Sequence, residues 1–349
     1  MTLFATVELA PRDPILGLNE TFSADTRPAK VNLGIGVYTN DEGRLPLLRA
    51  VREAEKARIE AAIPRGYLPI DGIAAYDAAV QKLLFGNASP LIAQGRIVTT
   101  QSLGGTGALK IGADFLKRLN PNAKVAVSNP SWENHRAIFQ AAGFEVLSYP
   151  YYNAETQNVD FASLSFGAGI EEDAAAIRLF AEAGINSLIA NSFSKSFSLY
   201  GERVGALSVI TSSQDEAKRV LSQLKQVIRC SYSNPPTHGA ALVAAILSSP
   251  ELRTLWEEEL SEMRGRILSM RSSLITKLKH YGAKRDFDFV SRQHGMFSYS
   301  GLNAQQVERL KTEFGIYAVS SGRICVAALN TKNVEVVAQA IAHVLDTTV

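Results

Sequence analysis

The chain has 349 residues, of which 46% are hydrophobic and 20% charged, with a formal net charge of +2. That length exceeds one typical domain, so one large and one smaller domain are expected. Interspersed charge, with no basic run and no acidic tail, excludes a nucleic-acid or membrane-surface footprint and leaves small molecules as the expected partners. The two cysteines, Cys230 and Cys325, form neither a disulfide framework nor a zinc spacing, and the N-terminus lacks the apolar core of a signal peptide. The longest apolar run, Ala240 to Leu247, is too short to span a bilayer. A cytoplasmic setting is expected.

Apolar runs of strand length alternate with stretches of helical period, the pattern of an α/β chain with a largely parallel sheet covered by helices. Expected strands are Ile97–Gln101, Lys124–Ser128, Glu145–Tyr149, Ile185–Asn191 and Val204–Thr211. Expected helices are Pro46–Ala61, Ala108–Leu119, Glu133–Ala142, Glu171–Ala183 and Gln214–Arg229. Gly184 supplies a helix stop before the strand that follows it. From Pro250 to Tyr281, apolar positions recur at helical spacing over some thirty residues, long enough for a spine between two domains. A compact C-terminal subdomain follows, with strands Met296–Ser300 and Arg323–Ala327 and helices Ala304–Phe314 and Asn333–Leu345.

The densest chemistry lies in Asn191 to Gly205, N-S-F-S-K-S-F-S-L-Y-G-E-R-V-G, which sets Lys195 among hydroxyls and aromatics at a strand end with Arg203 eight residues on. A lysine amine can form a Schiff base with an aldehyde, and a guanidinium can hold a dianionic phosphate; together they suit pyridoxal phosphate. Gly104-Gly105-Thr106-Gly107 follows a strand and opens a helix. There, backbone N–H groups and the helix dipole could hold a phosphate, or the loop could be a plain turn with Thr106 as N-cap. Trp132, in S-N-P-S-W after a strand, could stack on a planar ring or fill a core. Arg229 and Arg323 could clamp carboxylates or serve surface ion pairs. His135, His238, His280, His294 and His343 show no metal-ligand spacing, and no metal is expected.

The segment S-x-S-K-x-x-x-L-Y-x-x-R-x-G resembles the lysine segment of the class I, fold-type I, pyridoxal-phosphate-dependent aminotransferases of the aspartate and aromatic amino-acid subgroup. The resemblance continues in order through Y-L-P-I-D-G, N-P-S-W, I-R-C-S-Y-S-N-P-P and S-G-R-I-C-V, covering about Asp13 to Leu345. It implies pyridoxal 5'-phosphate as cofactor, with Lys195 as the catalytic lysine and Gly104, Gly105, Thr106, Trp132, Ser192, Arg203 and Tyr67 as cofactor contacts. Tyr67 would reach the neighbouring subunit's cofactor phosphate. Substrate contacts would be Gly36, in a mobile N-terminal segment, Trp132, Arg229 for a side-chain carboxylate and Arg323 for the α-carboxylate. The implied layout is an N-terminal arm at 1–14, a small α+β domain at 15–45 plus 263–349, and a large cofactor-binding domain at 46–262. The implied assembly is a homodimer with shared active sites, acting on amino acids and 2-oxo acids.

One block of the family pattern is missing. Between Asp160 and Glu171 the chain passes directly from one family segment to a point much further along, omitting roughly fifty residues, enough for two strands and a helix. With it go an asparagine, a tyrosine and the aspartate that pairs with the ring nitrogen of the cofactor. Glu171, Glu172 and Asp173 read instead as a helix first turn. The loss removes central strands of the family sheet, so the sheet is expected to close up or to expose edges. A degenerate, partner-like member with weak or no catalysis is the alternative function, and another pyridoxal-phosphate chemistry such as elimination or decarboxylation a third.

Overall fold

The computed structural model describes residues 2–150, 152–153, 158–159 and 170–346. In chain order its helices are α1 (Leu16–Ala24), α2 (Arg49–Glu60), α3 (Ala74–Phe85), α4 (Pro90–Ala93), α5 (Gly104–Leu119), α6 (Glu133–Ala141), α7 (Ile170–Glu182), α8 (Gln214–Ser231), α9 (His238–Ser248), α10 (Pro250–His280), α11 (Ala304–Phe314) and α12 (Val334–Asp346). The strands are β1 (Val31–Asn32), β2 (Ile97–Leu103), β3 (Lys124–Asn129), β4 (Glu145–Pro150), β5 (Tyr152–Asn153), β6 (Asn158–Val159), β7 (Leu188–Ser192), β8 (Val204–Ile210), β9 (Phe297–Tyr299), β10 (Ile316–Tyr317) and β11 (Arg323–Cys325). No helix among the described residues is long and apolar enough to cross a membrane.

The chain divides into two compact units, Pro46–Arg264 and Met1–Leu45 with Gly265–Val349, the second break falling within α10. In the first unit β8 lies between β2 and β7 and runs antiparallel to both, which leaves β2 and β7 parallel to each other. All seven β8 residues are buried. Its side chains alternate as a strand covered on both faces must. Val204, Ala206 and Ile210 enter one core with Tyr76, Phe193, Phe197 and Trp256, whereas Leu207 and Val209 enter another with Ile111, Phe115 and Leu224. Helix α5 packs against β2, β7 and β8, and it touches α6, which covers β3 and β4.

The sheet does not close over the missing block. β3 and β4 pair with each other in parallel and form a separate two-stranded sheet. Consistent with that separation, five of the six β4 residues are exposed, Leu147 and Tyr149 at 45% and 37% among them. The segment 160–169, where the family pattern breaks, lies outside the described residues.

The second unit holds two small sheets, parallel β1–β10 and antiparallel β9–β11. Arg271 of α10 is buried and donates to the carbonyls of Gln293, Gly295 (2.9 Å) and Phe297 (3.2 Å), which fixes the approach to β9. Several expected bounds shift, and α2 starts at Arg49 rather than Pro46. β7 starts at Leu188 rather than Ile185, because Gly184 (φ +70°) ends α7 and the next three residues connect. The strand expected at Arg323–Ala327 stops at Cys325, where a 3-10 turn over Val326–Ala328 takes over. Helix α5 begins at Gly104, four residues early, so the glycine loop is its first turn.

Candidate active site

The turn that carries Lys195 is built from beneath. Phe193 and Phe197 point inward, Phe197 stacks on Trp256 at 4.5 Å between centroids, and Phe193 meets Tyr76 edge-on at 5.8 Å. Trp256 Nε1 donates to the Ser196 carbonyl (2.7 Å), and the Tyr76 hydroxyl to the Gly205 carbonyl (2.8 Å). Buried aromatics in this arrangement hold a backbone firmly, since each ring fills the space the next would otherwise collapse into. The turn between the two rings leaves Lys195 exposed, its Nζ 4.5 Å from the centre of the Tyr200 ring.

Beside it lies a cationic cradle. Arg203 Nη1 donates to Ser194 Oγ (3.2 Å) and to the Tyr200 carbonyl (3.0 Å), while the Gly104 N–H donates to the Arg203 carbonyl (2.9 Å). Ser192 Oγ is 3.1 Å from Ser194 Oγ and accepts the Ser194 N–H at 3.2 Å. Gly104 sits at φ +65°, and a Cβ there would come within 2.5 Å of Arg203 Nη2. A Cβ on Gly105 would meet Ser192 Cβ at 3.3 Å. Gly205 is equally constrained, since its Cβ would fall 2.4 Å from the Gly104 carbonyl carbon. In the first turn of α5, the amides of Gly105 and Thr106 have no intrahelical acceptor, and no acid stands in that turn. A helix N-terminus, a guanidinium and two hydroxyls facing one space closed to side chains suit a phosphate.

Thr106 is not the helix cap: the N-cap position is Leu103, without a side-chain cap bond. Thus Gly104, Gly105, Ser192, Lys195 and Arg203 come together as one constellation, with Thr106 in its helical turn. Trp132 occupies the N-cap position of α6 and meets His135 edge-on at 5.2 Å. Burial pushes the imidazole of His135 below its ordinary range. Arg229, exposed in the last turn of α8, donates to Ser233 Oγ, and Tyr67 is 97% accessible. In the other unit, Arg323 Nη2 donates to the Gly34 carbonyl (3.2 Å) two residues from Gly36, and its guanidinium lies 4.6 Å from the Phe297 ring centre.

Sequence reading missed three supports. Ser194 links Ser192 to Arg203 and was legible as the second serine of S-F-S-K. Tyr76 and Trp256 carried no signal of their own, because a tyrosine at a helix start and a tryptophan on an amphipathic helix read as ordinary core.

The sequence profile described as "Aminotransferase class I and II" matches residues 28–166 and 161–341. The chain belongs to this family. It is 61% identical to an aspartate aminotransferase of Pseudomonas aeruginosa, with 99% of this chain and 100% of that one covered. It is 46% identical to an aromatic-amino-acid aminotransferase of Escherichia coli, at 98% and 100% coverage. Among solved structures it resembles the aromatic-amino-acid aminotransferase of Burkholderia pseudomallei covalently bound to pyridoxal phosphate, with a TM-score of 0.94, 62% identity and coverage of 99% and 100%. The fold is therefore the α/β, fold-type I architecture that the sequence implied. The alignment with the Pseudomonas protein runs over 398 positions against 349 residues here, so at least 49 positions of that relative have no counterpart. The two stretches matched by the family profile meet at 161–166, where the sequence pattern breaks.

Proposed function

We propose that this chain is a pyridoxal-phosphate-dependent aminotransferase moving an amino group between aspartate, glutamate or aromatic amino acids and 2-oxo acids. The observation that carries this reading is the convergence of Lys195 with the cradle of Arg203, Ser192, Ser194 and the first turn of α5. Its shape and charge fit the cofactor's phosphate, and relatives named for this activity align over nearly the whole chain. Bound there, the cofactor supplies an aldehyde and a ring that draws electron density from the substrate's α-carbon. Arg203 and the Gly105 and Thr106 amides neutralise and orient the phosphate. Lys195 Nζ would meet the aldehyde end and would move the proton at the substrate's α-carbon as general base and acid. Trp132 is assigned the ring face, Arg323 the α-carboxylate, Arg229 the side-chain carboxylate, and the Gly36 segment closure over substrate.

A cytoplasmic homodimer fits this reading. Its supports are the N-terminal arm, whose Leu3, Phe4, Val7 and Leu9 are 72% to 100% accessible, and Tyr67, whose projecting ring suits a neighbouring subunit's phosphate. The direct test pairs cofactor titration with transfer from aspartate and from phenylalanine to a 2-oxo acid. Lys195→Ala should lose both the visible cofactor absorbance and the transfer. Wild-type absorbance or wild-type transfer in that variant would refute the assignment.

A further inference from the structure

Sheet edges in stable proteins are blunted by lysine, proline, bulges or covering segments, because an open row of N–H and C=O groups templates another strand. In the three-stranded sheet of the first unit, the outer edge of β2 is so covered. The Gln101 N–H donates to the Asp71 carbonyl (2.8 Å), Gln81 Nε2 to the Ile97 carbonyl (3.2 Å) and the Tyr232 hydroxyl to the Gln101 carbonyl (3.3 Å). The opposite edge, on β7, is different. The ladder phase is fixed by the Ile210 N–H donating to Ser187 and the Phe193 N–H donating to Val204. With the register Leu188↔Val209 through Ser192↔Gly205, it turns the backbone groups of Ile189 and Asn191 toward β8 and those of Leu188, Ala190 and Ser192 outward. Among the described residues, no backbone group or side chain bonds those outward groups of Leu188 and Ala190.

β7 is nonetheless built as an interior strand. Leu188 and Ala190 pack against one core and Ile189 against the other, and its sequence Leu-Ile-Ala-Asn-Ser has no charge and no proline. A strand packed in part on both faces and, among the described residues, unpaired along one edge is a place prepared for a neighbour. The alignment says what kind of neighbour fits. At least 49 positions of the Pseudomonas relative fall opposite nothing here, at a break that precedes α7 and β7. A strand, a helix and a strand with their connections take about 30–40 residues.

We infer that the open edge of β7 is an acceptor for a β-strand donated by a separate polypeptide, of the strand–helix–strand kind that the gap is long enough to encode. Main-chain bonds to Leu188, Ala190 and Ser192 would supply the affinity, as in other strand-addition complexes.

The probe is the segment of the Pseudomonas aeruginosa relative that aligns opposite the break, made as a separate polypeptide and added to the full chain. Binding should be one to one, and amide exchange at Leu188 and Ala190 should slow on the order of 100-fold. Ile189 and Asn191, already bonded to β8, should change far less. Ala190→Pro removes an outward donor and should abolish binding. Because that variant could also disturb the fold, a probe N-methylated on alternate backbone amides is the companion, and it too should fail to bind. Absence of binding, slowing confined to other segments, or equal binding by the methylated probe would overturn the inference. So would protection of Leu188 and Ala190 in the chain alone at concentrations where it self-associates, since a second copy would then be the occupant.

Discussion

Gly104→Ala is the sharpest test of the phosphate cradle. The residue sits at φ +65°, where a side chain costs roughly 1–2 kcal/mol, and its new Cβ would stand 2.5 Å from Arg203 Nη2 and 3.0 Å from Cζ. The guanidinium must move, loosening its bonds to Ser194 Oγ and the Tyr200 carbonyl. A hydrogen bond to a charged group is worth about 1.5–3 kcal/mol, so cofactor affinity should fall by roughly 10- to 150-fold. Gly184→Ala is the control, because it shares the backbone strain at φ +70° with no heavy atom within 4 Å of the new carbon. Both variants should lose some melting temperature. In a spectroscopic titration of apoprotein with pyridoxal phosphate, only Gly104→Ala should lose affinity. Equal affinity in the two variants would show that the phosphate does not sit where α5 begins.

Arg229→Leu should lower kcat/KM for aspartate by about 2–5 kcal/mol more than for phenylalanine; steady-state kinetics on both substrates decides, and equal losses would remove Arg229 from side-chain recognition. Asp77 titrates up to about 9, because burial and then the charge of Asp71 penalise its ionised form while Lys225 opposes them. Its folded pKa lies above its unfolded value of about 3.9, so the folded state keeps a proton that the unfolded chain gives up, and stability falls as pH rises from about 4 toward 9. Asp77→Asn should flatten that fall and raise the melting temperature more at pH 8 than at pH 5, as calorimetry would show. Grafting the absent block from the Pseudomonas relative into the chain should raise the transamination rate by roughly 10²–10⁴-fold, through a restored carboxylate on the ring nitrogen. It should raise the melting temperature too, and a graft that changes neither would refute the account of the break.

Much of the architecture was legible because its periods were clean. The apolar strand Val204–Thr211 and the helices from Gln214, Pro250 and Ala304 lie within two residues of their expected bounds. Helices α1, α3, α4 and α9 were not recognised. α9 is buried nearly all round, so it shows an apolar run and no stripe, and α3 has no side-chain cap to mark its start. The lysine, arginine and glycine positions of the cradle could be named from sequence because each residue type suits the chemistry. Their mutual fit could not, since it depends on Gly104 and Gly205 bringing two backbone segments within van der Waals range. That the sheet would split rather than close was also out of reach, because local pattern fixes a strand's faces and says little about which strand lies beside it.

The stacked rings beneath the lysine turn have a further consequence for local concentration. With Phe193, Phe197 and Trp256 holding the backbone, the wandering of the Lys195 amine is confined to its own four-carbon stem. An amine sweeping a sphere of about 6 Å radius is present at on the order of 1 M, which a freely diffusing amine at millimolar levels cannot match. Small amines added to a chain lacking that side chain would therefore restore turnover only near molar concentration, and loosening the stack would dilute the native amine without touching it.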